Sequence, residues 1–273
     1  MHQYEVRFIQ GVPDYKVLSF SEEKSSFALV IPVLNENGRL IEQLRKIQEN
    51  KVQIDIIIAD GRSTDGSTDE NLLKKQGVNT LLTIVGRGKL SAQLRMGIHF
   101  CLQRSYQGII TMDGNGKDEI EGINRILREI EGGFDFIQGS RFLQVGDSIN
   151  TPKLRHLAIK YLHAPITSLA SGFKFTDTTN GFRGHSRRLL LDQNIAPLRD
   201  IFQTYELIAY LPIRASNLKY KVKETPVKRA YSTVKGKQTK IVGIKAHMVL
   251  FIILIKASVR LYNPKNVRSR VRK

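Results

Sequence analysis

From residue 27 onward, short apolar runs alternate with longer amphipathic stretches, and that alternation sets the expected architecture. Phe27-Ala-Leu-Val-Ile-Pro-Val33 reads as a buried strand, as do residues 54–59, 80–85, 108–112 and 134–138. Between them, residues 39–48, 67–76, 90–104 and 119–131 carry helical spacing. Strands separated by helices of roughly ten residues or more predict an α/β fold, a mostly parallel central sheet covered by helices. Residues 1–26 read as a polar lead-in with no clear element.

After Pro152 the rhythm changes. A helical pattern over 153–171 leads to Asp177-Thr-Thr-Asn-Gly-Phe-Arg183, then to a helix over 204–215 and a strand over 220–226. Residues 228–240 are polar, basic and glycine-containing. A last helix is expected within 241–262. Its apolar run Met248-Val-Leu-Phe-Ile-Ile-Leu-Ile255 gives about 12 Å of helix, too short for a hydrocarbon core of about 30 Å. Lys245, Lys256 and Arg260 share one face, with Leu250, Phe251, Leu254 and Leu261 roughly opposite. That pattern fits a helix lying in a membrane interface and equally one packed on the protein's own sheet.

Charge sharpens this division. Of the formal +18, fifteen come from the residues after 218, where sixteen Lys and Arg face a single acid, Glu224. Lys265, Arg268, Arg270, Arg272 and Lys273 close the chain. An anionic partner is implied, and a membrane surface fits it. Nucleic acid does not, because no zinc motif or RNA-binding signature with interleaved aromatics is present. The single cysteine, Cys101, excludes an internal disulfide or a cysteine zinc site. His156 and His163, seven apart on one helical face, read as packing or acceptor-cleft residues. The N-terminus lacks a secretory layout, so a cytoplasmic location is expected, peripheral on the inner face of the membrane.

The candidate chemistry gathers where strands end. Gly108-Ile-Ile-Thr-Met runs into Asp113-Gly-Asn115-Gly-Lys-Asp118, and residues 54–59 run into Asp60-Gly-Arg-Ser-Thr-Asp65. In open α/β sheets ligands sit beyond the carboxyl ends of strands. Asp113 and Asn115, spaced i and i+2 with glycines between and after, can place oxygen ligands on one Mg²⁺ or Mn²⁺, which would offset a diphosphate. Asp60 is a candidate for ribose or base, whereas Asp65 reads as the N-cap of the next helix. Pro32-Val-Leu-Asn35-Glu36 ends the first strand and faces the same crevice.

Pro32-x-x-Asn35-Glu36, Asp60-x-x-Ser-Thr-Asp-Gly, Gly88-Lys89 with Ala92 and Gly97, Asp113-x-Asn115, Gly139-Ser-Arg141 and Asp177-x-Thr-x-Gly-Phe-Arg183 follow in this order. Together they resemble the family 2 glycosyltransferases of GT-A fold, in particular the polyprenol-phosphate (dolichol-phosphate mannose synthase-like) branch. The resemblance implies three regions: a lead-in (1–26), a GT-A domain (27–240) and a basic amphipathic C-terminal helix with its tail (241–273). It implies an inverting transfer from a nucleotide-diphosphate sugar to a membrane lipid phosphate such as a polyprenyl phosphate. Pro32, Glu36, Asp60, Lys89 and Arg141 would bind the donor, Asp113 and Asn115 the divalent metal, and Arg229 and Lys240 the phosphates of donor or acceptor. Asp177, Glu206 and Arg183 would serve catalysis.

The pattern is not matched throughout. Asn115 replaces the second acid of Asp-x-Asp, Lys117 stands where many relatives have Gln, and Gly61-Arg62 replaces the usual Asp-Gly. A saccharide hydroxyl acceptor in surface polysaccharide assembly is the alternative, and it would require a general base. A dinucleotide enzyme is disfavoured because no Gly-x-Gly-x-x-Gly turn follows the first strand.

Overall fold

In the computed structural model, which describes residues 2–86, 88–231 and 243–265, the expected strands all join one large sheet. β1 (His2–Val6) and β2 (Tyr15–Ser19) precede β3 (Phe27–Val33), β4 (Asp55–Asp60), β5 (Thr80–Ile84) and β6 (Gly108–Thr111). β7 (Phe136–Ser140), β9 (Arg183–Ser186) and β10 (Val222–Pro226) complete it, in the order β1-β2-β5-β4-β3-β6-β9-β7-β10. β5, β4, β3 and β6 run parallel, while β9 is antiparallel to both of its neighbours. β8 (Asp147–Ile149) and β11 (Lys228–Ala230) form a separate parallel pair.

The central strands are apolar on both faces because both are covered. In β3, Ala28 and Val30 enter one core and Leu29, Ile31 and Val33 the other. The first core is closed by α3 (Leu90–Leu102), α7 (Arg187–Leu191) and α8 (Glu206–Asn217). The second is closed by α1 (Gly38–Glu49), α2 (Glu70–Lys75) and α4 (Glu121–Glu131). α1 buries Leu40, Gln43, Leu44 and Ile47, the i, i+3, i+4, i+7 face. α3 lies so close to the sheet that a Cβ on Gly97 would meet Val30 Cγ1 at 2.5 Å.

β8, β9, β11 and α7 are elements that the periodicity does not predict, and two further segments differ from expectation. Within residues 1–26, β1 and β2 form an antiparallel hairpin that extends the sheet through β5. Alternation supports β2, where Tyr15, Val17 and Leu18 are buried, but β1 is mostly exposed and is ordered mainly by pairing with β2. The 153–171 pattern is helical throughout but changes pitch: α5 (Lys153–Ala158) passes through a π-helical turn (Ile159–His163) into α6 (Ala164–Ser171).

The C-terminal helix α9 (Ile244–Ser258) packs on α6 and α8. Ile253, Leu254 and Ala257 are buried there, so the helix rests on other helices and not on the sheet. Of the three cations expected on its face, Lys245 and Lys256 lie within it and Arg260 follows its end. Met248, Val249, Phe251, Ile252 and Ile255 are exposed.

Asp55 anchors the entry into β3. Its buried carboxylate accepts the Lys24 and Ser25 backbone N–H groups, the Asn79 amide and the Tyr106 hydroxyl. Asp55→Ala leaves four donors without their acceptor, and a loss of about 3 kcal/mol in unfolding free energy is expected by urea denaturation. A loss under ~1 kcal/mol would mean that water replaces the carboxylate.

Candidate active site

β3 is followed in the chain by β4 and β5 on one side, after which β6 adds on the other side of β3. The sheet therefore changes winding direction between β3 and β6, and the loops leaving those strands diverge to open a crevice. Val33 lies opposite Asp60 in the ladder. Asn35, in left-handed backbone (φ 52°), accepts the Thr64 N–H, and Asp65 accepts the Asn37 N–H at 2.6 Å. The loops after β3 and β4 are thus stitched into one wall. Asp65 is part of that wall and does not cap α2; Asp69 does, accepting the Leu72 N–H.

Asp60 is buried at the end of β4 and accepts both the Ser63 N–H and its hydroxyl. Burial raises its pKa. Glu36 is buried beside Arg39, to which it is ion-paired at 3.0 Å. Pro32 and Asp113 share the lining of a small hollow, and Lys89 is exposed at the start of α3.

The Asp113 loop crosses the end of β3. Gly114 lies against Ile31, Val33 and the Pro32 carbonyl, and the Gly116 N–H donates to Gln43 on α1. An open groove of about 690 Å³ runs beside it, lined in part by Gln43, Lys46, Gly116, Lys117 and Lys228. From β9's side, the Gly181 carbonyl accepts the Thr111 hydroxyl, and a Cβ on Gly181 would sit 2.7 Å from Asp113 Oδ1. Asp113 and Pro32 therefore line one hollow, and the loops carrying Glu36 and Asp60 leave the adjoining strands β3 and β4.

Cations converge on this loop. Arg229 Nη2 donates to Asp113 Oδ2 at 2.9 Å, and its Nη1 to Asp118 Oδ2. Burial opposes the Arg229 charge, but Asp118 and Asp113 together raise its pKa. Lys117, Arg155 and Arg229 surround the Tyr231 ring at 4.7, 5.7 and 5.9 Å from its centroid. Burial, helped by Arg229 and Arg155, lowers Lys117 to about 8. Tyr205 is close enough to feel Asp113 and Arg155. Arg155, Tyr205 and Tyr231 carry no motif of their own; only the fold brings them to the loop.

The residues expected to do catalysis are occupied elsewhere. Asp177 is completely buried and paired twice with Arg141, at 2.7 and 3.0 Å. Burial would raise its pKa, but Arg141 holds it below the usual carboxylate range. Arg141 is therefore locked to Asp177 and to Thr179, with only Nη1 left without a partner. Arg183 donates to the Thr178, Asn180 and Ile208 carbonyls and is a strut for the loop; burial brings it down to about 9. Glu206 accepts the Thr204 N–H and hydroxyl at the start of α8. Asp177 is closed off from a substrate by burial and by Arg141, while Glu206 is partly exposed with both oxygens bonded to Thr204. His156 packs edge-on against Phe142, as expected. Lys240 lies outside the described residues.

Among the described residues no cluster of three His, Cys, Asp or Glu is placed to hold a metal. A Mg²⁺-type site needs none: such ions are commonly held by one or two protein oxygens, with substrate phosphates and water completing the shell. The Asp113 carboxylate is partly exposed, and the Asn115 amide lies 3.4 Å from it. That donor set fits an ion shared with a diphosphate.

No protein-family model matches the chain. It is 25% identical over 202 residues to a polyprenol monophosphomannose synthase of Mycolicibacterium smegmatis, covering 73% of this chain and 75% of that one. It is 23% identical over 201 residues to an undecaprenyl-phosphate mannosyltransferase of Micrococcus luteus, covering 72% and 81%. Among solved structures, Mycobacterium tuberculosis glucosyl-3-phosphoglycerate synthase with Mn²⁺, UDP and glucosyl-3-phosphoglycerate superposes with a TM-score of 0.62 at 14% identity, covering 88% of this chain and 81% of that one. The same enzyme with Mg²⁺ and UDP gives 0.62 at 13%, covering 85% and 78%. These likenesses show that the chain has the GT-A fold, and that divalent metals are bound by proteins sharing it.

Asp177→Asn leaves the Arg141 guanidinium buried without a counter-charge and should cost about 3–5 kcal/mol. Since the folded pKa of Asp177 is depressed, its contribution is present above the unfolded value of about 3.9 and is lost as pH falls through the folded value. The stability gap between wild type and Asp177→Asn, measured by denaturation at pH 7 and then at acid pH, should narrow in acid. An equal gap at every pH would assign the cost to lost packing.

Proposed function

We propose that the protein is an inverting glycosyltransferase that moves a sugar from a nucleotide-diphosphate sugar to the phosphate of a polyprenyl lipid. The observation that carries this reading is the set of cations, Lys117, Arg155 and Arg229, gathered around the Asp113 loop at the point where the sheet changes direction. The relatives named for polyprenol- and undecaprenyl-phosphate substrates support the acceptor class.

The donor's base and ribose would rest on the wall made by Asp60, Ser63 and Asn35, beside Pro32 and Glu36, with Lys89 at its rim. Asp113 and Asn115 would hold the divalent ion, which when bound neutralises charge on the departing diphosphate. An acceptor phosphate oxygen attacks the anomeric carbon as the bond to the diphosphate breaks, and the nucleoside diphosphate leaves. Lys117 and Arg155 bring the two anionic reactants together, and Arg141 Nη1 is the one donor of that guanidinium left to join them.

A phosphate monoester is largely ionised at neutral pH and requires no proton removal. A sugar hydroxyl would need a base within hydrogen-bond reach. Asp177, Glu206 and Asp118 are each tied to partners inside the protein, which favours the phosphate acceptor over the saccharide alternative.

Surface chemistry supports a membrane location for the acceptor. No helix among the described residues is long and apolar enough to cross a membrane. Leu154, Leu157, Tyr161 and Leu169 on the α5–α6 segment are exposed, up to 89% for Leu169, and α9 packed against α6 exposes Met248, Val249 and Ile252. With Lys153, Lys160, Lys245 and Lys256 exposed on the same helices, this surface suits an anionic bilayer on the cytoplasmic side.

Incubation with UDP-, GDP- and dTDP-sugars plus Mn²⁺ should release nucleotide from one of them only when polyprenyl phosphate is supplied. Asp113→Ala should slow that release about 100-fold; release from no donor would overturn the proposal. In a separate measurement, the protein should sediment with anionic vesicles. Met248→Glu combined with Ile252→Glu should weaken that binding about tenfold or more, through lost apolar burial. Unaltered sedimentation would move the contact away from α9.

A further inference from the structure

Arg229 occupies one oxygen of the carboxylate proposed to hold the metal ion. Its Nη2 lies 2.9 Å from Asp113 Oδ2, and its Nη1 bonds Asp118 Oδ2. Around the Asp113 carboxylate the fixed charges are net positive: Asp113 and Asp118 against Arg229, Lys117 and Arg155, with Asn115 neutral. A divalent ion on Asp113 would face a guanidinium bound to the same carboxylate and a second cation nearby. Two like charges that close repel, and this buried setting screens them less than water does.

Asp118 supplies the other half of the arrangement. Its side chain is fully buried, and Oδ1 has no hydrogen-bond partner. A buried, unpaired carboxylate oxygen is costly, and Arg229 is the guanidinium already in contact with that carboxylate. If Nη2 leaves Asp113, Asp118 can accept it at Oδ1 and close a bidentate pair.

We infer that Arg229 is a built-in occupant of the cation position, and that the divalent ion joins Asp113 only together with a nucleoside diphosphate. The diphosphate's negative charge reverses the local balance, the ion takes Asp113, and Arg229 withdraws onto Asp118. The inference rests on the reading above of Asp113 as a metal ligand, but it concerns the order of binding and not the sugar transferred. It also gives Arg229 a role distinct from direct phosphate binding: a positioning residue whose release is linked to donor arrival.

Calorimetric titration of Mn²⁺ tests this, with protein alone and with UDP or GDP present, each against a nucleotide-only blank. Wild type should bind Mn²⁺ at least about tenfold more tightly with the effective nucleotide, and by linkage Mn²⁺ should tighten that nucleotide equally. Arg229→Gln alone would strand the Asp118 charge and could unfold the protein. The paired variant Asp118→Asn/Arg229→Gln keeps a neutral hydrogen-bonded pair in its place. It should bind Mn²⁺ without nucleotide about tenfold better than wild type and show a smaller nucleotide effect. Lys117→Gln should shift nucleotide-free binding in the same direction.

Mn²⁺ bound equally well by wild type with and without nucleotide would overturn the inference, as would nucleotide-free binding unaltered in the paired variant. Either result leaves sugar transfer standing if nucleotide release is seen. Linked binding of metal and nucleotide in a protein that turns over no sugar would uphold this inference while removing the transferase.

Discussion

The arrangement depends on one constraint: β3 must be hydrogen-bonded on both edges and buried on both faces. Its partners are β4 and β6, and the chain reaches them in opposite directions. Loops leaving adjacent strands in opposite senses cannot close over one another, so a crevice remains at that point. All else at the site trims this gap. Gln93 reaches from α3 to the Val33 and Ala59 carbonyls, holding β3 and β4 in step where their loops begin. Gly114 lets the next loop lie across the end of β3.

Internal ion pairing then determines which groups remain for chemistry. Asp177 with Arg141, and Glu224 with the Thr176 and Asp177 N–H groups, turn the 176–183 loop into a rigid shelf beneath Asp113. These carboxylates build the floor and leave the surface above it cationic. A site whose acids are committed to structure suits a nucleophile that arrives already charged.

Much of this was legible in sequence, and the limits have physical causes. Strands β3 to β7 and the helices between them follow from local periodicity, because each strand is mostly apolar and buried on both faces. Asp60 and Asp113 follow from sitting just beyond apolar runs. β1 was not legible, since its order comes from pairing with β2. Asp65 reads as the cap in place of Asp69 because the helical spacing extends back to residue 67, whereas the helix itself starts at Glu70. Asp177 and Arg141 read as separate site residues because their pairing spans thirty-six positions, and no local signal reports a contact at that range. Arg155 and Tyr231 were hidden for the same reason.

α5 joins two environments within a single turn. Arg155 points toward the crevice, where Asp113 and Tyr231 lie in electrostatic range, while Leu154 and Leu157 of the same short helix are exposed. On the reading developed above, chemistry takes place one helix-width from the lipid. A long-chain acceptor would then never need to dissolve: it would slide along the leaflet, present its head group, and depart still embedded. Turnover in such a system follows how crowded the leaflet is with acceptor, in molecules per unit area, so dilution with inert lipid slows it even when the bulk amount is constant.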